Sequence, residues 1–545
     1  MSLSTLYLST FNRTILLSMT VPRKLWVVVV VLFACLPSLW VVCWDWNGAS
    51  FASHYDDDMV YYVSAKSLAE KGSYRLLHLP GEPPSTKFPP LWPAWLSLAW
   101  RIEPRFPENL VVAKWLSWLL VPFYLGGICW WFLNLALRRW ETAMLLVFVG
   151  SAPLFLHLAG SFMSEILFGL LLFAVVALSR DPSCEKRALA AGFTSGLCFL
   201  TRTAGLALLP GVAAWYWWLG QRRQAAAFLA GMAPAILGWT LWSSNHRPAD
   251  LDVSLAYYFG YNDSLQTVGT LAERVQMVGQ NAAALPLQVG RNLIFYAGSE
   301  VLPTYLVHLV GLVALVGAAQ LGFTAYTGFA VCLLAMLSCW TYPPMERLVF
   351  PLLPLAAVGF YRSLKKGCEV FLTAVRKAEF LAKAIGASGL LAIAGVLVFA
   401  LHSQIELLSS YPELMQQAQI WRKKKEEVYQ WIQGQPAAFW IATTDGELYL
   451  YTGQKAVSFH PPTTGFYRGD LQAAREWVAS LPFPRGMPPP TRLFWTPGGF
   501  ELDPEDMRWV RKRLDEKLAP PLLDCGEIVV FGLDRVRGSA ARDVR

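Results

Sequence analysis

The residues best suited to chemistry lie between the first and second long apolar segments of the sequence. Three consecutive carboxylates, Asp56–Asp58, follow the first apolar segment, and Asp57 stands four residues before Tyr61. Farther along, Lys87 belongs to the proline-rich turn Thr86–Pro90. A carboxylate can serve as a base, and a lysine can hold an anion. The combination predicts a polar reaction site at the boundary between lipid and water.

The composition places such a site in an integral membrane protein. The 545-residue chain is 55% hydrophobic, 14% aromatic and only 15% charged, and it contains 24 Trp. Repeated apolar segments of about 17–25 residues are typical of membrane-spanning helices. No coherent basic face indicates a nucleic-acid partner. The nine Cys lie mostly in apolar segments without metal-binding spacing, which favours a packing role for them.

Basic residues between the apolar segments predict the topology. Arg23 and Lys24 precede the first apolar segment, Leu25–Trp44, so the positive-inside rule places the N-terminus in the cytoplasm. Basic pairs also mark the later turns that should be cytoplasmic. About eleven spans result, with the C-terminus outside. After the first, they are predicted near 110–137, 141–158, 163–179, 188–201, 204–220, 225–243, 302–319, 322–341, 348–363 and 386–403.

Other segments are predicted to lie outside the bilayer. Residues 58–71 and 90–100 are expected to form interfacial helices, and 244–301 a long external loop with helical portions. Residues 367–384 are predicted to form a cytoplasmic surface helix. After residue 404 the composition becomes soluble-like, which predicts a small α/β domain. Its strands are expected at 438–442, 447–451, 492–495 and 527–531, and its helices at 413–433, 469–480 and 503–517.

Several motifs follow one another along the predicted topology. They are the acid before Tyr61, the Lys87 turn, Ser164-Glu165, Leu200-Thr201-Arg202 with Gly205-Leu206, Glu346-Arg347 with Pro351 and Pro354, and Leu450-Tyr451-Thr452-Gly453. Together and in this order they resemble the GT-C superfamily of integral-membrane glycosyltransferases, in particular the bacterial protein-mannosyltransferase-like and aminoarabinose-transferase-like enzymes. The resemblance implies an α-helical polytopic membrane protein with a small extracytoplasmic α/β domain. Residues 1–363 would form the catalytic module, with the external loop 45–109, and 364–403 would carry the surface helix and last span. Residues 404–545 would form the tail, expected to cover the mouth of the site and admit the acceptor.

The resemblance also implies a reaction. A sugar would leave a polyprenyl-phosphate donor and be attached to a lipid, glycan or protein acceptor on the periplasmic or outer face. This predicts a hexosyl- or pentosyltransferase in the bacterial inner membrane, in contact with membrane lipids and without nucleic acid. No organic cofactor is expected, whereas a divalent metal stays open. His54, His78 and His460 are candidate ligands if one takes part, although such residues are more often structural.

Among the acids, Asp57 is the predicted catalytic base, with Asp58 or Asp56 as alternatives. These carboxylates could instead only stabilise a helix N-terminus, whose dipole attracts negative charge. Glu165 is predicted to be a second acid that positions the acceptor or a metal, and the alternative is again a helix-terminal carboxylate. Tyr61 and Tyr62 could stack on the sugar or simply pack.

The predicted ligands of the donor phosphate are Lys87, Arg202 and Arg347. Lys87 could instead fix its turn or pair with an acid, and Arg202 could extend to the interface. Arg347 could pair with the adjacent Glu346 or be an ordinary interfacial anchor. A transporter or lipid flippase is the main alternative function, and a non-catalytic membrane subunit is a third. A transporter would be expected to show half-repeats and charges near mid-membrane, whereas these polar residues gather at one boundary.

Overall fold

The computed structural model describes most of the chain as helix, with a small sheet near the C-terminus. The described residues are 22–45, 51, 57–248, 255–260, 270–294, 302–340, 342–377, 380–458, 471–481, 487–496 and 504–533. The candidate residues Asp56, His54 and His460 lie outside these ranges.

In the part of the chain that the structure describes, sixteen regular helices precede the long helix that leads into the tail. They are α1 (Arg23–Asp45), α2 (Asp57–Lys71), α3 (Leu91–Ile102), α4 (Asn109–Trp118), α5 (Leu120–Asn134), α6 (Arg139–Gly150), α7 (Pro153–Gly160), α8 (Glu165–Leu178), α9 (Glu185–Thr201), α10 (Leu208–Trp218), α11 (Arg222–His246), α12 (Ala256–Phe259), α13 (Leu271–Ile294), α14 (Thr304–Ala319), α15 (Ala325–Ser338) and α16 (Leu353–Lys377). Two 3-10 helices, Thr203–Ala207 and Glu346–Leu352, precede α10 and α16.

Fewer helices are long enough to span a membrane than the sequence predicts. Among the described residues, four helical segments are long and apolar enough: Arg23–Trp44, Asn109–Asn134, Arg222–His246 and Glu346–Val370. The predicted span 141–158 is divided into α6 and α7, which are bent by 58° and would make a fifth span together. Helices α8, α14 and α15 are apolar but shorter. The predicted spans therefore correspond largely to real helices, several of which are broken or short.

The helices pack closely where small residues let backbones approach. At the crossing of α9 and α11, a Cβ added to Gly192 would lie only 2.0 Å from the carbonyl oxygen of Phe228. Close approach through glycine is typical of membrane helix pairs, because dispersion contacts rather than water exclusion hold them together. This tight crossing fixes the C-terminal end of α9, where Arg202 follows.

The basic turns lie together at one end of the bundle. The Gln224 amide at the start of α11 donates to the Ser183 carbonyl between α8 and α9, at 2.8 Å. Lys365 in α16 pairs with Glu141 in α6 at 3.0 Å. The basic pairs Arg138–Arg139, Lys186–Arg187 and Arg222–Arg223 lie at the starts of α6, α9 and α11, whereas Lys365–Lys366 lies within α16. Helix α8, which is 14 residues or about 21 Å long, separates this end from Glu165 at its start.

The last long helix, α17 (Phe380–Gln433), is 54 residues long and joins the bundle to the tail. It contains both the predicted span 386–403 and the predicted helix 413–433. The Trp40 indole of α1 donates to the Leu408 carbonyl at 3.2 Å, so α17 packs against the first helix. The predicted surface helix 367–384 is divided between the end of α16 and the start of α17.

The tail is an α/β unit with a five-stranded sheet in the order β2-β1-β3-β5-β4. Strands β1, β2 and β3 are parallel, and β5 pairs antiparallel with both β3 and β4. Its elements are β1 (Phe439–Ala442), α18 (Asp445–Thr452), β2 (Lys455–Val457), α19 (Leu471–Ser480), β3 (Arg492–Trp495), α20 (Pro504–Lys517), β4 (Leu523–Asp524) and β5 (Val529–Gly532).

The predicted strand at 447–451 is wrong, because these residues form helix α18. Its alternating apolar residues suggest a strand. However, two acids, Asp445 and Glu447, lie in the first turn, where they favour a helix N-terminus. Gly453 then ends the helix in the left-handed conformation, with φ 72°. The sequence prediction also missed β2 and β4.

Candidate active site

Asp57 and Arg347 form an ion pair that joins the first loop to the end of the helix bundle. Asp57 is in the first turn of α2, and Arg347 is in the 3-10 helix before α16. Arg347 Nη2 donates to Asp57 Oδ2 at 2.5 Å, and both side chains are largely buried. The backbone around Arg347 is held in place, because the Asn292 amide donates to the Glu346 carbonyl at 2.8 Å. The pair therefore brings together two of the predicted site residues.

The surroundings of Asp57 keep its carboxyl group ionised. Burial alone would raise the pKa of Asp57, but Arg347, Lys87 and Arg202 more than offset this effect and lower the pKa to about 2. A carboxylate beside several cations strongly prefers its charged form. At neutral pH Asp57 is therefore a carboxylate tightly held by its neighbours.

Glu165 and Arg202 form a second ion pair beside the first. Glu165 is the first residue of α8, and Arg202 directly follows α9. The Glu165 side chain is fully buried, and that of Arg202 is 13% exposed. Arg202 Nη1 also lies 3.3 Å from Ser164 Oγ, to which it donates. Arg202 is thus fixed inside the protein rather than extended toward the interface.

Lys87 lies in a turn that is anchored to helix α12. Its side chain is buried, and Nζ lies 4.8 Å from the centre of the Phe88 ring. Thr86 Oγ1 donates to the Phe259 carbonyl at 2.8 Å, and Tyr74 Oη donates to the Phe88 carbonyl at 2.9 Å. These bonds hold Lys87 close enough to Asp57 to lower the pKa of that carboxyl.

The cluster gathers cations from three separate parts of the chain. Lys87, Arg202 and Arg347 lie around the carboxylates of Asp57 and Glu165. Charge-assisted contacts from lysine and arginine are the usual means of holding a phosphate oxygen. The arrangement is therefore suited to bind an anion such as a phosphate group.

The two tyrosines predicted to contact sugar have different surroundings. Tyr62 is fully buried and stacks on Phe162, with ring centres 5.3 Å apart. Tyr61 packs edge-on against Phe88 at 5.0 Å and is close enough to Arg202 and Arg347 to interact with them electrostatically. Tyr61 thus borders the charged cluster, whereas Tyr62 contributes to the aromatic core beneath it.

The structure also places Asp58, the alternative base, and Glu346, the alternative partner of Arg347. Asp58 is fully buried, and its Oδ1 accepts a hydrogen bond from the Met59 amide at 2.8 Å. Glu346 is buried next to Arg347, whose ion pair nevertheless reaches Asp57, 290 residues away. The three-cation arrangement thus depends on contacts that the spacing in the sequence does not reveal.

No group of three or more His, Cys, Asp or Glu able to hold a metal ion occurs in the part of the chain that the structure describes. His78, one of the candidate ligands, is fully buried beside Asp445 of the tail. Its Nε2 lies 3.2 Å from Asp445 Oδ2. This contact is a link between the first loop and the tail that sequence reasoning missed.

Comparisons with solved structures identify the fold. No protein-family model and no curated protein sequence matches the chain. The structure is similar to ArnT from Cupriavidus metallidurans bound to undecaprenyl phosphate, with a TM-score of 0.53 and 15% identity over 94% of this chain and 98% of that one. It is less similar to the oligosaccharyltransferase of Archaeoglobus fulgidus tethered with an acceptor peptide, with a TM-score of 0.48 and 12% identity over 92% and 72% of the two chains. The first similarity, which covers nearly the whole of both chains, confirms the predicted fold: a polytopic α-helical membrane protein with a small C-terminal sheet domain, as in the ArnT structure.

Proposed function

We propose that the protein is a glycosyltransferase that moves a sugar from a polyprenyl-phosphate donor to a lipid, glycan or protein acceptor. The observation that carries the proposal is the buried cluster of Asp57 with Lys87, Arg202 and Arg347. The shared fold supports it, since the ArnT structure of that fold has undecaprenyl phosphate bound. A hexosyl or pentosyl group would be transferred.

The cations would hold the departing lipid phosphate, and Asp57 would take the proton of the acceptor hydroxyl. Charge-assisted contacts to phosphate stabilise the negative charge that develops as the sugar leaves. Asp57 in its present pair is a weak base, because its pKa is near 2. A donor phosphate that attracts Arg347 would weaken this pair, raise the pKa of Asp57 and make it a better base. Glu165 would hold Arg202 in position while the acceptor enters.

The transporter alternative has less support from the placement of charge. The described polar cluster lies at helix ends, at the start of α8 and just beyond α9. Transport sites are expected near the middle of the bilayer, in interrupted helices. A site at the bundle end matches a reaction at the membrane surface better.

The direct test uses the purified protein in detergent or nanodiscs with a radiolabelled polyprenyl-phosphate sugar and extracts of lipids, glycans and proteins as acceptors. Transfer of label to one of these extracts is the expected result. Movement of labelled lipid between leaflets of a vesicle, with no transfer to any extract, would instead support a flippase.

Lys87→Ala should weaken use of the lipid donor. Loss of a charge-assisted contact typically costs about 1.5–3 kcal/mol, or roughly ten- to a hundredfold in donor affinity. Donor titrations measure the change. Lys71→Ala is the matched control, because Lys71 lies on the same loop but pairs with Glu82 and is 45% exposed. Equal donor affinity in wild type and Lys87→Ala would leave Lys87 with the role of fixing its turn.

We further propose that the protein resides in the bacterial inner membrane, with the N-terminus in the cytoplasm and the first loop and tail outside. The gathering of basic turns at the bundle end away from Glu165 supports this orientation. In a background without the nine native cysteines, Arg75→Cys and Ala437→Cys should react with an impermeant thiol reagent from outside. Arg180→Cys, between α8 and α9, should react only after permeabilisation. The reverse pattern of labelling would show that the topology is opposite to the one proposed.

A further inference from the structure

Three segments that are far apart in the sequence meet in a buried polar contact beside α2. They carry His78 of the first loop, Tyr258 of α12 and Asp445 at the start of α18. Tyr258 Oη donates to Asp445 Oδ2 at 2.5 Å, while His78 Nε2 lies 3.2 Å from the same oxygen. The Ser458 amide donates to Tyr258 Oη at 2.7 Å. All of these residues are buried.

The Asp445 carboxyl group is stabilised by its neighbours in this contact. Burial alone would raise the pKa of Asp445, but the nearby His78 and the hydrogen bond from Tyr258 lower it. Removing one partner of a buried polar group is strongly destabilising, because the other is left without compensation. The three side chains therefore hold the tail and the two external segments in one arrangement.

The same end of α18 packs against the start of α2. A Cβ added to Gly446 would lie 3.0 Å from Met59 Cβ, and Met59 is only two residues after Asp57. One turn later in α18, the Tyr449 ring lies 5.8 Å from Lys66 Nζ. The tail thus contacts the helix that carries the proposed base, close to the base itself.

The sheet of the tail is also connected to the first loop. The Ala456 amide of edge strand β2 donates to the His78 carbonyl at 2.9 Å. Lys455 Nζ donates to the Leu77 carbonyl at 2.5 Å and pairs with Glu82 at 2.8 Å. The loop therefore covers the edge of the sheet, which leaves little freedom between the tail and the loop.

We propose that His78, Tyr258 and Asp445 are positioning residues that hold α2 so that Asp57 is correctly placed for transfer. This inference rests on the proposed glycosyltransferase function. By holding α2, the tail affects the rate of the chemical step as well as any entry of the acceptor. Errors of about 1 Å in the position of a reacting group can cost about a hundredfold in rate.

The test compares Asp445→Asn and Tyr258→Phe with Glu447→Gln as the matched control. Glu447 lies on the same short helix but pairs with Lys425 of α17 at 2.7 Å. We expect kcat to fall about ten- to a hundredfold in Asp445→Asn, and less in Tyr258→Phe, while KM for donor and acceptor changes little. Glu447→Gln should keep the wild-type kcat.

Hydrogen exchange provides a readout that needs no substrate. The amides of residues 58–64 in α2 should exchange at least about tenfold faster in Asp445→Asn than in wild type or Glu447→Gln, because the start of the helix is less restrained. If the wild-type protein transfers no sugar, that result counts against the proposed function but not against the contact. The exchange measurement still tests the contact, because it needs no substrate.

Three results would overturn the inference. The first is unchanged exchange of α2 in Asp445→Asn. The second is a rise in KM for the acceptor with kcat unchanged, which would assign the contact to acceptor entry. The third is an equal loss of kcat in Glu447→Gln, which would assign the effect to the stability of the tail.

Discussion

Asp57→Asn is expected to lower sugar transfer at least about a hundredfold while the protein still folds and inserts. Asparagine keeps a side-chain oxygen that can accept the Arg347 hydrogen bond, which is 2.5 Å long in the structure. It cannot take up a proton, so the loss should appear in kcat. Initial rates at saturating donor and acceptor measure the effect, and the melting temperature in detergent checks the fold.

Asp58→Asn is the nearest control for this experiment. Asp58 lies on the same helical turn, but its carboxylate accepts a bond from the Met59 amide. Near-wild-type rates are expected in Asp58→Asn and also in Asp56→Asn. Loss in Asp58→Asn with activity kept in Asp57→Asn would move the base by one residue. Full activity in all three variants would contradict a carboxylate base.

Arg202→Ala is expected to reduce both stability and donor use. The substitution leaves Glu165 fully buried without its cation. Breaking a buried ion pair in this way typically costs about 3–5 kcal/mol. The melting temperature in detergent should therefore fall clearly, and donor titrations should shift in the same direction as those of Lys87→Ala.

A double variant separates the two effects. In Glu165→Gln with Arg202→Met, neither charge is left buried, so the melting temperature should recover toward that of wild type. Donor binding should stay weak, because the cation is still missing. Recovery of donor binding together with stability would show that Arg202 only neutralises Glu165 and does not bind the phosphate.

The sequence was most informative about residues whose roles depend on local pattern. An apolar segment followed by acids predicts a helix start at the membrane surface, and α2 begins at Asp57. The strands at β1, β3 and β5 follow from short β-branched and aromatic runs. The candidate residues Asp57, Lys87, Glu165, Arg202 and Arg347 were each placed at a helix end or turn, which is where the structure has them.

Pairing between these residues could not be predicted in the same way. The Asp57–Arg347 pair and the His78–Asp445 contact join segments hundreds of residues apart, and no local periodicity encodes such contacts. One break within an apolar segment was also missed. Pro153 lies inside the predicted span 141–158, and α7 begins there, bent by 58° from α6. The strand predicted at 447–451 is wrong because Asp445 and Glu447 favour a helix start there, despite the alternating apolar residues.

The contact between His78 and Asp445 has a consequence for biosynthesis. The ribosome makes Asp57 and His78 several hundred residues before Asp445 and Lys455, which connect the tail to the first loop. Domains usually fold in the order in which they are made. Here, however, the first loop cannot complete its contacts until the tail has been made. If the tail lies outside, the first loop also waits for export of the tail. A chain whose tail has not yet been exported would then lack an ordered site. The protein would therefore become able to transfer sugar only once its membrane assembly is complete.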